Sequence, residues 1–513
     1  MHPRFLSLVV FCLLMSIPAL AAAPAAAQEI HVNSSTVGWQ KCPAVVAGPA
    51  GDYMVVFASE IIGPGEGPEG VLAQRIGPAG ERIGPELSLD LAHPTPCLTA
   101  ARSGPGRFLV VWGVQVDIGR HAIYARHFDF QGNPQGPKFQ AGEGSAYVPP
   151  GAACDPEGHC WIAWVTEGVE EVRMRRFALS GEPLGEEIRV DAPGTPERWE
   201  LQVSGDSQGG FTIAWWRGDT STGVPEDPPA PLNGEIRVRR FSAAGEPLVD
   251  EFPVATDPAY AYYSPVICQA EDGSFAVAGN RLRKDTRSGG VFLRRFSASG
   301  TPAGPESAVV EIDESSAPVE LACGADGSVL LFWLQGNGID PPLLGRFFGP
   351  AGNPTGAPFL VSGSGGSASA ALAGPGRFLV AWERYATGPG FEVLGRVYDI
   401  HQPELQLPLH QGRFRIEATF RDPHTGQLGQ AHVVPLTDET GLLWFFSSSN
   451  IELVVKLLDG CGVNGHYWFF AGGLTDVEVE ITVIDSDGSF KQYRNPPGTA
   501  FLPIQDTRAL ACD

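Results

Sequence analysis

A seven-fold repeat constrains this chain more than any other feature. A short strand reading glycine, aromatic, alternating apolar residues and then tryptophan recurs along it. It runs first as Gly51-Asp52-Tyr53-Met54-Val55-Val56-Phe57 and next as Gly106-Arg107-Phe108-Leu109-Val110-Val111-Trp112. Later copies end at Trp164, Trp215, Gly279, Trp333 and Trp382, a spacing of roughly 50 to 65 residues that marks a repeated supersecondary unit. A second signature follows each copy. Examples are Ala125-Arg126-His127-Phe128 before Gly132-Asn133-Pro134, and Arg239-Arg240-Phe241 before Gly245-Glu246-Pro247. Turn glycines stand at the equivalent positions Gly80, Gly181, Gly300 and Gly352.

One repeat therefore reads as four strands: a small-residue strand, the tryptophan strand, the arginine–phenylalanine strand and a last strand such as Glu187-Ile188-Arg189-Val190. Four antiparallel strands per repeat resemble the blade of a β-propeller, and no helical period competes with that reading. The seventh copy runs through Val393-Leu394-Gly395-Arg396-Val397-Tyr398 and then lacks its fourth strand. Glu29-Ile30-His31-Val32-Asn33, ahead of the first copy, reads as the missing one and would cover an open sheet edge. The expected fold is all-β: a seven-bladed β-propeller over residues 28–403, closed by the N-terminal strand, then a small β-sandwich over 404–513. The tryptophans are expected between blades, with the arginine stems lying over aromatic rings or pairing with carboxylates.

Residues 1–27 read as a signal peptide, with Arg4, an apolar stretch from Phe5 to Ile17, and Ala25-Ala26-Ala27 before Gln28. The apolar stretch is too short to span a bilayer. An exported protein is expected, extracellular, periplasmic or at the cell surface, with no membrane span. The net charge of −23 argues against nucleic acid, which needs a basic footprint, and against anionic membranes. A monomer with a protein or glycan partner is expected.

Beyond Cys12 the chain has Cys42, Cys97, Cys154, Cys160, Cys268, Cys323, Cys461 and Cys512, an even set that suits disulfides in an oxidising compartment. Spacing pairs Cys154 with Cys160 across a hairpin and Cys461 with Cys512 around the C-terminal module. Cys42 and Cys97 hold the same place in adjacent repeats and are a further candidate pair. No CxxC occurs, so neither a metal nor a cofactor is expected.

From about Glu404 the period stops and clean alternation begins: Phe414, Ile416, Ala418 and Phe420 against Arg413, Arg415, Glu417 and Thr419. Turn signals at Asp459-Gly460, Asn464-Gly465 and Asp487-Gly488 separate further strands. With Gly412-Arg413-Phe414, Trp444-Phe445-Phe446, Asn450, Asp459-Gly460-Cys461 and Leu474-Thr475-Asp476, this stretch resembles an uncharacterised β-rich module found at the C-termini of exported bacterial proteins. The resemblance implies no activity. Its aromatics suit core packing or a sugar platform.

Two classes of interstrand loop differ. One is short and stereotyped, whereas the other varies and holds Gly218 to Gly234, Pro196-Glu197-Arg198-Trp199, Tyr260-Ala261-Tyr262-Tyr263 and Arg281 to Arg287. Variable loops on a rigid scaffold are where binding concentrates. Trp199, Tyr260, Tyr262, Tyr263, Arg281 and Arg384 are the candidate ligand contacts. No catalytic residue stands out, because the first strands read as small and apolar, with Glu320 and Gln202 as the polar exceptions. No pair of acids aligns with the repeat, as glycoside hydrolysis would need, and no nucleophile or phosphate-loop motif occurs.

Three functional readings follow. The first is a non-enzymatic binding scaffold using the variable-loop face. The second is a carbohydrate-binding or sialidase-like, carbohydrate-active propeller. The third is a structural cell-envelope protein.

Overall fold

A computed structural model describes residues 29–512 apart from 61–68, 193–197, 219–233, 400–404 and stretches of one to four residues in other loops. The signal segment, most of the Gly218–Gly234 loop and the side chain of Trp199 lie outside the described residues. The described chain is almost entirely β-strand, with one four-residue helix at Cys461–Asn464. None of its helices is long and apolar enough to cross a membrane.

Repeats two to six each form one four-stranded antiparallel sheet in sequential order. Repeats one and seven join in a single eight-stranded sheet, through a short parallel pairing of Gly38 with Gly390 and Trp39 with Phe391. This union departs from seven separate sheets. It arises because the first strand of repeat one, Gly38–Ala47, extends past its hairpin partner to reach Gly390–Asp399. The segment Ile30–His31 pairs antiparallel with Leu394 and Gly395 and so serves as the fourth strand of repeat seven. Val32 follows it into the core and is fully buried.

Within each repeat the second strand is buried on both faces, so its apolar run is nearly continuous. The indoles of Trp112, Trp164, Trp215, Trp333 and Trp382 are fully buried. Each belongs to a hydrophobic cluster drawn from two consecutive repeats, such as Trp112 with Met54 and Val56, or Trp333 with Cys268 and Ala278. The first strands lie side by side in chain order, and that of repeat seven lies beside that of repeat one. The arginine of the third strand has two jobs. Arg239, Arg294 and Arg396 donate to carbonyls of Val190, Val254 and Val361 in the preceding repeat. Arg239 and Arg294 also lie over Phe241 and Phe296, two residues on.

Four disulfides are present: Cys42–Cys97, Cys154–Cys160, Cys268–Cys323 and Cys461–Cys512. The first and third join first strands, or the residues just before them, in consecutive repeats, and each spans 55 residues. Closing a loop of that size restricts the unfolded chain and stabilises by about 4 kcal/mol in the chain-entropy view. Reduction under native conditions is therefore expected to lower the melting temperature by many degrees. Calorimetry with and without reductant checks this, and an unchanged melting point would contradict it.

Past the repeats, two five-stranded sheets share one hydrophobic core. Phe414, Phe420, Phe445, Tyr467, Phe469 and Phe501 all lie in that core and Tyr493 packs against it, which places most of this region's aromatics in packing. The guanidinium of Arg346, in repeat six, sits 5.6 Å from the ring centre of Phe490 on the first of these sheets.

Candidate functional site

Four first strands carry a β-bulge at one level. The extra residue falls between Lys41 and Ala44, between Arg198 and Leu201, between Tyr263 and Val266, and between Pro318 and Glu320. This is the level of the tryptophan row, since Leu201 faces Trp215 and Pro318 faces Trp333. A bulge re-aims a side chain out of the regular two-residue alternation. Cys42 and Ser264, both at bulges, also have φ of 55° and 51°, backbone conformations that non-glycine residues hold only when their surroundings impose them.

Two carboxyls result. Glu200 accepts a hydrogen bond of 3.0 Å from the Ser264 hydroxyl on the next repeat, and the amide of Ser264 also supports the carboxyl. Its second oxygen, Oε2, is sealed from solvent and has no hydrogen-bond partner among the described residues. Enclosure holds the Glu200 pKa above the usual carboxylate range, against the pull of Ser264.

Glu320 accepts from the amide of Leu321 at 2.9 Å and is further bonded by Ser369 and the amide of Ala370 on repeat seven. Burial pushes its pKa up to about 7, although those three donors oppose the shift. Ser369 in turn accepts from the amide of Val45 at 3.1 Å, and Glu383 accepts from the amide of Cys42 at 3.0 Å. These contacts make a polar belt of two segments. Glu200 with Ser264 ties the first strands of repeats four and five, and Glu320 with Ser369 and Val45 ties those of repeats six, seven and one. Glu383 reaches Cys42 from the second strand of repeat seven.

The Glu320 shift has a consequence for stability. The folded protein holds this proton more tightly than the unfolded chain does. Its contribution is therefore complete below the ordinary glutamate value near 4.5 and falls as pH rises to about 7. The loss across that window is about 3 kcal/mol at 1.36 kcal/mol per pH unit. Urea unfolding at pH 4.5 and 7.5 is expected to show it in the wild type and to lack it in Glu320→Gln. Equal pH slopes in the two proteins would refute it.

The sequence-expected ligand contacts fall elsewhere. Tyr260, Ala261, Tyr262 and Tyr263 are strand, not loop: they open the strand Tyr260–Gln269. Tyr262 is buried against Phe292, and its hydroxyl donates to Glu306 at 3.1 Å. Arg281 pairs with the same Glu306 at 2.7 Å and lies over the half-buried ring of Tyr260. Arg384 is held between Glu392 and Glu29, so it ties the N-terminal segment to repeat seven. Tyr263 is half-buried. Residue 199 lies within the strand Arg198–Gly205, next to Glu200. The structure therefore gathers Tyr260, Tyr262 and Arg281 into an internally satisfied cluster and brings neither it nor Arg384 to the belt.

Glu320 was visible in the sequence as a polar residue in an apolar strand. Glu200 was not. Only the bulge and the neighbouring Ser264 make it part of the site. The pairing of Cys268 with Cys323 was also missed, although its separation of 55 equals that of Cys42 and Cys97.

No protein-family model matches the chain, and no curated protein matches it. Solved structures do, at low identity. A Dyadobacter fermentans protein of unknown function has a TM-score of 0.44 and 10% identity, over 73% of this chain and 99% of its own. A Penicillium chrysogenum α-L-arabinanase complexed with arabinobiose gives 0.42 and 11%, over 74% and 99%. Polysaccharide lyase Uly1 gives 0.44 and 10%, over 74% and 96%.

These comparisons correct the first functional reading. The arabinanase and the lyase are enzymes, so the reading as a non-enzymatic binding scaffold, with its leaning against catalysis, is withdrawn. Identities this low speak to fold alone, and the chain's own residues carry the positive case. The chain has an all-β fold similar, at low identity, to β-rich glycoside-hydrolase and lyase folds.

Proposed function

We propose that this chain is an exported, carbohydrate-active protein whose site is the bulged level of its first strands, with Glu320 as proton donor. In this reading residues 28–403 form a seven-bladed β-propeller. Support comes from the cyclic adjacency of the first strands and from the pairing of Ile30–His31 with repeat seven. The two C-terminal sheets form a β-sandwich. Four disulfides suit an oxidising, extracytoplasmic location.

The observation that carries the reading is the carboxyl of Glu320, fixed by three donors and held neutral up to about pH 7. Breaking a glycosidic bond needs a proton for the departing oxygen, and an acid with a pKa near the working pH is suited to give it. Glu320 protonates that oxygen as the bond to the anomeric carbon breaks. Water then adds to the anomeric carbon and returns a proton to Glu320, so the carboxyl ends as it began. Binding of the full chain on a glycan array, followed by product analysis of each bound glycan, tests the reading. Cleavage that falls as pH rises through 7 supports it, whereas cleavage that is flat between pH 6 and 8 refutes the role of Glu320.

A further inference from the structure

The two C-terminal sheets have outer faces of opposite character. On the first sheet, outward residues of Phe414–Arg421 and Glu478–Asp485 are largely charged, and Arg421 pairs with Glu478 at 3.0 Å. That sheet also meets repeat six, where Arg346 lies over Phe490. The second sheet is built from His432–Thr437, Thr440–Trp444, Leu453–Gly460, His466–Gly473 and Ile504–Ala511. Val433, Leu443, Val455 and Phe469 lie in the shared core, so the residues between them point outward.

Those outward residues are apolar as well. Val434, Leu442 and Val454 stand side by side across three strands. Val434, Leu436 and Val454 are 38%, 54% and 43% exposed. On the fourth strand Phe470 and Trp468 continue the face, opposite Lys456 and Leu458, and Trp444 ends it beside His432. These three rings are partly exposed. Lys456 is the only lysine, arginine or carboxylate at the outward positions of these four strands. A sheet face that meets water normally turns polar residues outward, and a contiguous apolar patch marks a surface that binds something.

Area and charge narrow the occupant. Four strands about 4.8 Å apart, with outward rows about 7 Å apart, give a face of about 300–400 Å². That is half or less of the ~800 Å² that a standard protein partner covers. A second copy docked on the same face would bury both Lys456 ammoniums with no carboxylate opposite, a costly arrangement. The net charge of −23 turns the chain away from anionic membranes. A neutral polysaccharide meets none of these objections. The C–H faces of its rings pack on aromatic and aliphatic side chains, and its hydroxyls accept from an ammonium that stays in contact with water.

We propose that the outward face of the second C-terminal sheet is a platform that docks a neutral polysaccharide chain, with Phe470 and Trp468 under its rings and Lys456 donating to its hydroxyls. This rests on the carbohydrate reading above and adds a second contact with the polymer, separate from Glu320. Holding the polymer at the platform raises its effective concentration at the repeats.

The test measures depletion of the full chain from solution by microcrystalline cellulose, insoluble xylan and chitin. The wild type is expected to be retained by at least one of them. Phe470→Ala and Trp468→Ala are expected to weaken that retention about tenfold or more. Gln492→Ala, on the charged outer face of the first sheet, is expected to be retained like the wild type. Should either ring variant fold poorly, Leu436→Glu/Val454→Glu changes two exposed positions of the same face and is expected to give the same loss. Unchanged retention of these variants, a dimer in sedimentation equilibrium that Leu436→Glu/Val454→Glu dissolves, or no retention of the wild type by any of the three would overturn the platform. Reducing-end release from soluble polysaccharides would then still support the wider reading, and its absence as well would overturn both.

Discussion

Replacing Glu320 by glutamine is expected to lower glycan cleavage at pH 7 by about 100-fold or more, the usual contribution of a placed general acid. Glutamine keeps the shape and one accepting oxygen, with an amide that donates where the second carboxyl oxygen stood, so the fold and substrate affinity are expected to persist. The loss then falls on turnover, not on KM. The pH profile separates this from a structural effect. The wild-type rate falls as pH climbs through about 7, where Glu320 loses its proton, and the residual rate of the variant has no such limb. A variant with wild-type turnover would remove Glu320 from the chemistry.

Val32→Asp is expected to prevent stable folding. Val32 is fully buried and packs with Val55, Leu379 and Val393, and its amide donates to the carbonyl of Val393 at 2.9 Å. Among the described residues the cluster around Val32 is apolar and offers a carboxylate no cation, and an unpaired buried charge costs several kcal/mol. Total stability of a domain is only about 5–15 kcal/mol. His31→Ala, one residue earlier and exposed, removes only a surface contact with Glu392 and is expected to change stability by under about 1 kcal/mol. Urea denaturation of both variants checks the contrast. A Val32→Asp protein as stable as the wild type would mean that the segment from residue 29 to 33 does not complete repeat seven.

Much of the repeat was legible because burial on both faces imposes a continuous apolar run on the second strand, and indole-sized gaps recur between sheets. Trp112, Trp164, Trp215, Trp333 and Trp382 could be read from spacing alone. The N-terminal strand was legible for a related reason: repeat seven lacked a partner that only Ile30 and its neighbours could supply. The site was far less visible. A bulge breaks the two-residue alternation on which strand reading depends, and no residue type in Trp199-Glu200-Leu201 announces one. Burial raises the pKa values of Glu200 and Glu320, and the donors that oppose it, Ser264 and Ser369, belong to the next repeat, roughly 50 to 65 residues away in the chain. Tyr260 and Tyr262 misled in the opposite direction. Their run of aromatics suggested a loop, whereas tyrosine is also a good strand former, and Glu306 satisfies the Tyr262 hydroxyl inside the fold.

The most direct measurement is reducing-end release from a panel of soluble polysaccharides by the wild type and by the Glu200→Gln/Glu320→Gln double variant, with circular dichroism confirming that both are folded. The account predicts release by the wild type from at least one polysaccharide and none by the double variant. Equal release by the two proteins, or no release by the wild type across the panel, would contradict it.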